Sequence, residues 1–417
     1  MRLRWITAVL VIVSMVGVFM IGRLSAENGS ARNANPHVAS NGFSHFKPLS
    51  ASFATTDYGW ALGTATCHLG RECLVLQATV DGGHAWTPVV LPASLVKAAG
   101  RTIQNSIAAL LAQADGTGLR VYFANRQDGW IYGTLPYLTQ PGNVYGMTNQ
   151  VVIWSTHDGG SHWGEVHLSW INPQGSILDL EASGPTAYLM AWAKGFHVAL
   201  AKSVVGTDNW QLEAAPSLGV PAGGGAVVGQ LLLRGPKGWL IEGNDRGVIG
   251  SDRLNGAGRW VPWRPPCSSN DDADGLLAAA SGSDVVTVCS IGGYGGYVSP
   301  GGPPGAVLAS NWLYVSHDGG AMFNAVSHLP QPVFFQVEAL AYLEPGVIFV
   351  GGQGTSGRYL LGSFDGGRHW KKVNAGQALS LTFTSAAQGF SVIQDSKGNS
   401  SLIMTFDGGR HWERVRF

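Results

Sequence analysis

Charge is the scarcest ingredient of this 417-residue chain. Asp, Glu, Lys and Arg supply 12% of it, split evenly into 26 acidic and 26 basic side chains, where soluble domains carry about 25%. With neither sign in excess there is no field of Lys and Arg for a sequence-independent grip on DNA or RNA, and no nucleic-acid partner is expected. Cysteine is scarce too: the four residues fall into two local pairs, Cys67 with Cys73 and Cys267 with Cys289. His68 beside Cys67 falls short of the ligand spacing that a Cys/His metal site needs. What is abundant is glycine, with 59 residues, and tryptophan, with 15, in a chain that is 45% hydrophobic. That apolar content excludes a disordered chain. Much Gly and Trp with little charge suits many short strands joined by tight turns.

One apolar run stands apart. Residues 5–22 (WITAVLVIVSMVGVFMIG) follow Arg2 and Arg4. At 18 residues the run lies between a secretory apolar core of about 7–15 and the roughly 20 that span a bilayer. Residues 1–23 therefore read as a hydrophobic helix serving as signal anchor or as cleaved signal, and both export the rest of the chain. Residues 24–42 are small and polar, a flexible tether. In an oxidising compartment the two cysteine pairs are expected as disulfides, the alternative being four thiols packed as small hydrophobes.

The remainder repeats. Thr79-Val-Asp-Gly-Gly-His-Ala-Trp86 returns as Thr156–Trp163, Ser316–Phe323, Ser363–Trp370 and Thr405–Trp412, each [ST]-x-D-G-G-x-x-[WF]. Ser203–Trp210 and Ser251–Trp260 read as worn copies, which makes seven. A second series of turns precedes these landmarks by 20–40 residues, as in Tyr58-Gly-Trp60, Asp128-Gly-Trp130, Lys237-Gly-Trp239 and Gln388-Gly-Phe390. Alternating apolar runs flank every turn, the pattern of strands joined by hairpins. One unit is thus strand A, turn, strand B, loop, strand C, octapeptide turn, strand D. Seven units over residues 43–417 predict an all-β, seven-bladed propeller of four-stranded antiparallel blades. Gly-Gly supplies positive φ in the tight turn, and the carboxylate accepts from turn amides. Asp81, Asp158, Asp318, Asp365 and Asp407 are accordingly structural. A catalytic acid is needed once or twice, not five times.

In these octapeptides the sequence resembles the Asp-box, or BNR-repeat, proteins, among them sialidases, sortilin-type receptors, xyloglucanases and photosystem II assembly factors. The pairing of Gly-Trp before strand B with the octapeptide after strand C is most similar to the photosystem II assembly factor-like propellers, over residues 43–417. The resemblance implies a scaffold holding a polypeptide or membrane-protein partner. A sialidase is not implied, because the arginine signature of its first blade is absent; Arg71 and Arg101 stand in another setting.

Outside the five box aspartates no two acids are paired by the sequence as a glycosidase requires. No catalytic residue and no cofactor is expected. Asn270, Asp272 and Asp274 imitate the first half of a calcium loop, but Ser281 stands where a bidentate Glu belongs; the alternative is an acidic turn entering the fifth blade. The B–C loops and D-to-A connections share one face. Tyr137, Tyr145, Tyr294 and Tyr297 belong to its two longest loops, and Arg71, Arg246 and Arg358 to others. Tyr and Arg favour interfaces, so these seven are the candidate partner-binding residues; the alternative is a set of Gly/Pro-rich caps. The expectation is an exported or membrane-anchored, monomeric binding scaffold, with a carbohydrate-binding or glycoside-hydrolase-type propeller as the rival.

Overall fold

The computed structural model describes residues 43–67, 70–105, 118–138, 147–219, 227–244, 247–269, 273–291, 310–330, 336–354 and 357–417. The chain forms seven blades in sequence order. The first holds β1 (Ser44–Phe53), β2 (Gly59–Thr66), β3 (Glu72–Thr79) and β4 (Thr87–Val89), followed by helix α1 (Ala93–Asn105). The second holds β5 (Arg120–Phe123), β6 (Gly129–Leu138), β7 (Met147–Thr156) and β8 (Gly164–Glu165), and the third β9 (Ile177–Ser183), β10 (Thr186–Ala193), β11 (His197–Val204) and β12 (Gln211–Glu213). The fourth holds β13 (Val228–Arg234), β14 (Lys237–Asn244), β15 (Gly247–Leu254) and β16 (Trp260–Pro262). The fifth holds β17 (Ala273–Ala279), β18 (Val285–Ile291), β19 (Ser310–Ser316) and β20 (Asn324–His328). The sixth holds β21 (Gln336–Glu344), β22 (Val347–Gly354), β23 (Gly357–Ser363) and β24 (Lys371–Asn374). The seventh holds β25 (Gln377–Ala378), β26 (Thr382–Phe383), β27 (Gly389–Gln394), β28 (Ser400–Thr405) and β29 (Glu413–Arg414). The first six blades are antiparallel meanders with their strands in chain order; in the seventh, β25 and β26 are two pieces of strand A, both paired with β27. The seven-bladed, four-stranded architecture read from the repeats is the one observed.

The octapeptides build the C–D turns by one recurring network. Thr79 Oγ1 donates to Asp81 Oδ1 (2.8 Å) and accepts from Gly83 N–H (2.9 Å), while Ala85 N–H donates to the same carboxylate oxygen (2.9 Å). The Thr405 turn repeats the pattern at 2.9, 2.8 and 2.9 Å. The first glycine amide reaches the A–B turn of its own blade, as Gly82 to Asp57 O (2.9 Å) and Gly408 to Ala387 O (2.8 Å). Both turns therefore lie on one face, and the B–C connections lie on the other. The second glycine approaches the preceding blade: a Cβ on Gly409 would stand 2.1 Å from the Phe349 ring.

Two details depart from the sequence reading. Ser251 is not a turn serine: it lies within β15 and donates to Trp263 O (2.5 Å). The fourth C–D turn is organised instead by Asn255 Oδ1, which accepts from the Ala257 and Arg259 amides (2.9 and 3.1 Å). Asparagine supplies the same acceptor with a different spacing. Helix α1 was not anticipated in an all-β reading; it buries Leu95 and Ala99 beside the first two blades. The other worn turn, in the third blade, keeps its function, with Ser203 Oγ donating to Thr207 O (3.1 Å) and Val205 N–H to Pro185 O (2.8 Å).

The core is a series of clusters between adjacent blades. The last, between the seventh and first blades, closes the ring, and among the described residues all strands of the seventh blade come from the C-terminal segment. Phe53 packs with its ring 4.9 Å from that of Phe390, Trp86 at 4.9 Å from Phe417, both pairs tilted, and Gln388 Nε2 donates to Thr56 O (2.8 Å). Disulfides join Cys67 to Cys73 and Cys267 to Cys289. The second is buried between Val248 of the fourth blade and Tyr314 of the fifth.

Candidate functional site

On the face opposite the octapeptides, the sequence-selected residues fare differently. Tyr145, Tyr294, Tyr297, Arg246, Asn270 and Asp272 lie outside the described residues, as does the apolar run 5–22. Tyr137 is placed by backbone alone, opposite Thr148 at the loop end of β6 and β7, and Asp274 opposite Ser290. Arg71 is exposed, and its carbonyl accepts from Cys67 N–H (2.7 Å) across the short disulfide-bonded turn. Arg358 is held as a bridge between the sixth and seventh blades, donating to Gln394 Oε1 (3.1 Å) and Asp395 O (2.8 Å). The five box aspartates stand in five separate turns on the other face. Backbone amides hold their carboxyls below the usual range, Asp158 to about 2. Among the described residues no group of three or more His, Cys, Asp or Glu side chains is placed to hold a metal ion.

The seven A strands surround an axial channel. Its loop-side compartment, about 340 Å³, is lined among others by Ser50, Arg120, Asp179, Gln230 and Glu338. The turn-side compartment, about 570 Å³, is lined by Phe53, Tyr122, Glu181, Arg234, Tyr342 and Phe383. Each A strand pairs with strand B on one edge and turns the other to the axis. Polar side chains of the first four blades each satisfy that edge on the next blade. Ser50 and Ser52 accept from the Val121 and Phe123 amides (3.2 and 2.9 Å). Tyr122 bonds both the N–H and the C=O of Ala182 (2.9 and 3.1 Å). Asp179 and Glu181 accept from Leu231 and Leu233 (2.8 and 2.6 Å). Gln230 bonds both backbone groups of Leu277 (2.8 Å each), and Arg234 Nε donates to Ala279 O (2.8 Å).

These same acids make ion pairs inside the channel, Arg120–Asp179 at 3.5 Å and Arg234–Glu181 at 3.3 Å. Burial pushes the Glu181 carboxyl up to about 8 against the pull of Arg234. Two further acids are less well served. Both oxygens of Glu338 are buried without a hydrogen-bond partner, and burial raises it to about 7. Glu242 is 1% exposed; its one partner is Gly219 N–H at 3.3 Å, and burial raises it to about 7. The sequence by itself pairs none of these acids. The signal that finds them is repeat equivalence: Ser50, Arg120, Asp179 and Gln230 occupy the same place on successive A strands, which only a blade-by-blade register reveals.

No family model matches the chain, and no curated protein matches it. Solved structures do. The structure described as YCF48 bound to D1 peptide is 20% identical at a TM-score of 0.51, covering 87% of this chain and 94% of its own. A polysaccharide lyase, an ulvan lyase, is 10% identical at 0.52, covering 90% and 97%. The BP39L lectin from Burkholderia pseudomallei is 11% identical at 0.50, covering 89% and 100%. The likeness is one of fold: a propeller shared with a peptide-bound assembly, a lyase and a lectin.

Proposed function

We propose that the chain is an exported, non-enzymatic propeller of the Asp-box type that binds a polypeptide partner on its loop face. The observation that carries this reading is that the strand ends from which the B–C loops spring and the mouth of the loop-side compartment share one face, while Asp179, Glu181 and Arg234 inside are spent on neighbouring backbone. Acids that accept from the next blade's amides are committed to holding the ring, as the five box aspartates are to their turns. The 20%-identical structure bound to a peptide supports a polypeptide in preference to a sugar. Residues 1–23 would hold the propeller at a membrane through the tether 24–42. Phe43 adjoins the loop-side end of β1, so the chain enters the propeller on the binding face.

The test uses the full chain purified in detergent. Affinity capture should recover a polypeptide partner, and replacing Tyr137, Tyr145, Tyr294 and Tyr297 together by Ala should reduce recovery about tenfold or more. Undiminished recovery would remove the loop face from the proposal. The second reading, a carbohydrate-binding propeller, is favoured by the fold shared with the lectin and the lyase. Glycan-array binding abolished by the same four substitutions would support it instead.

A further inference from the structure

Edge capping in the channel stops halfway round the ring. Gln230, opposite Ile241, bonds the inner edge of the next blade at Leu277. The equivalent place on β17 is Leu276, opposite Val288. It faces Leu340 and Tyr342 of β21, the counterparts of the capped Leu231 and Leu233. Leu276 and its neighbour Ala278 have no polar group to offer, and both pack in the cluster shared with Leu340 and Tyr342. The next interface repeats the change, since Ala339 and Ala341 of β21 stand where a cap for β26 would have to originate. Among the described residues no side chain bonds the axial edge of β21 or β26, so half of the channel wall is polar and capped, and the other half is bare strand edge beside mainly apolar groups, with Glu338 at its loop-side end.

We propose that this bare wall is a docking edge for one extended, uncharged polypeptide segment, which enters by the loop-side mouth and pairs with β21. An unpaired edge offers N–H and C=O groups at the strand repeat, and another strand satisfies that period. The opposite wall discourages a second strand, because its backbone groups are occupied and its charges are paired. Two compartments in line, of about 340 and 570 Å³, match the size range of ligand sites. The inference deepens the proposed function by locating the partner's backbone, and it fails separately from it.

The experiment takes the full chain in detergent and selects binders from a displayed library of random dodecapeptides. Selected peptides should slow hydrogen exchange in β21, and N-methylation of alternate residues should weaken them about tenfold, the scale of one or two lost backbone hydrogen bonds. Leu276→Gln installs the cap that Gln230 provides elsewhere and should weaken binding to a similar degree at an unchanged melting temperature. If that variant unfolds, the N-methylated peptides decide alone. Peptides that bind with β21 exchange unaltered, or that tolerate N-methylation, would place the partner on the loops and overturn the channel site while leaving the loop-face reading intact. Failure of the library to yield any binder also overturns it.

Discussion

The two glycines of each octapeptide look interchangeable in the sequence and are not. In the sixth blade both have positive φ, 78° at Gly366 and 90° at Gly367. A Cβ on Gly366 meets nothing within 4 Å, whereas one on Gly367 would stand 2.2 Å from the Leu313 side chain of the blade before. Gly366→Ala should therefore cost about 1–2 kcal/mol from backbone strain alone. Gly367→Ala should cost about 1–3 kcal/mol more, because the fifth blade must also give way. Chemical denaturation of the two variants checks the order; equal losses would mean that the second glycine serves only the turn.

The same motif links neighbouring elements. Its second position in one blade meets the sixth position in the next: Phe364 receives Arg410 at 5.3 Å, and Phe406 stacks with His84 at 5.4 Å. Between the second and third blades this contact is ionic. His157 Nε2 lies 3.3 Å from Asp208 while Nδ1 lies 2.9 Å from Asp128 of its own A–B turn. Burial works to lower the His157 pKa, but the hydrogen bonds to the two carboxylates more than offset it and leave it raised. A group raised in the folded state stabilises fully below its unfolded value of about 6.5 and loses that contribution as pH rises through the folded value. Wild-type melting temperature should thus fall between about pH 6 and 8 by more than that of His157→Ala. Parallel profiles for the two proteins would sink the assignment.

At the scale of the whole molecule the seam between the seventh and first blades is held by side chains. Phe390 is 3% exposed and packs on Phe53, with Met404 and Trp86 around it. Phe390→Ala should cost about 3–5 kcal/mol. Exchange of the β1 and β27 amides should accelerate before that of β10 or β14, because opening at the seam breaks no sheet hydrogen bonds. Uniform acceleration through all blades would show that the ring opens elsewhere. The asymmetry of the channel is a property of this same scale: four blades carry capping side chains and the next two do not.

The blades, their number and their two faces were legible in the sequence because turn chemistry is local. Asp-Gly-Gly fixes a hairpin from within eight residues, and period-two alternation fixes the strands beside it. Ser251 misled because a serine and a tryptophan nine positions apart imitate the motif, while Asn255 performs its task. Helix α1 escaped because Leu95 and Ala99 form a short apolar stripe whose burial depends on two blades brought together. The channel was out of reach for a deeper reason. Whether Asp179 is a reactive acid or a cap for Leu231 depends on which edge lies opposite it 52 residues away. The chain itself determined the repeats; only closure into a ring decided which polar groups face a neighbour's backbone and which edge is left open, because those contacts exist between blades and not within any one of them.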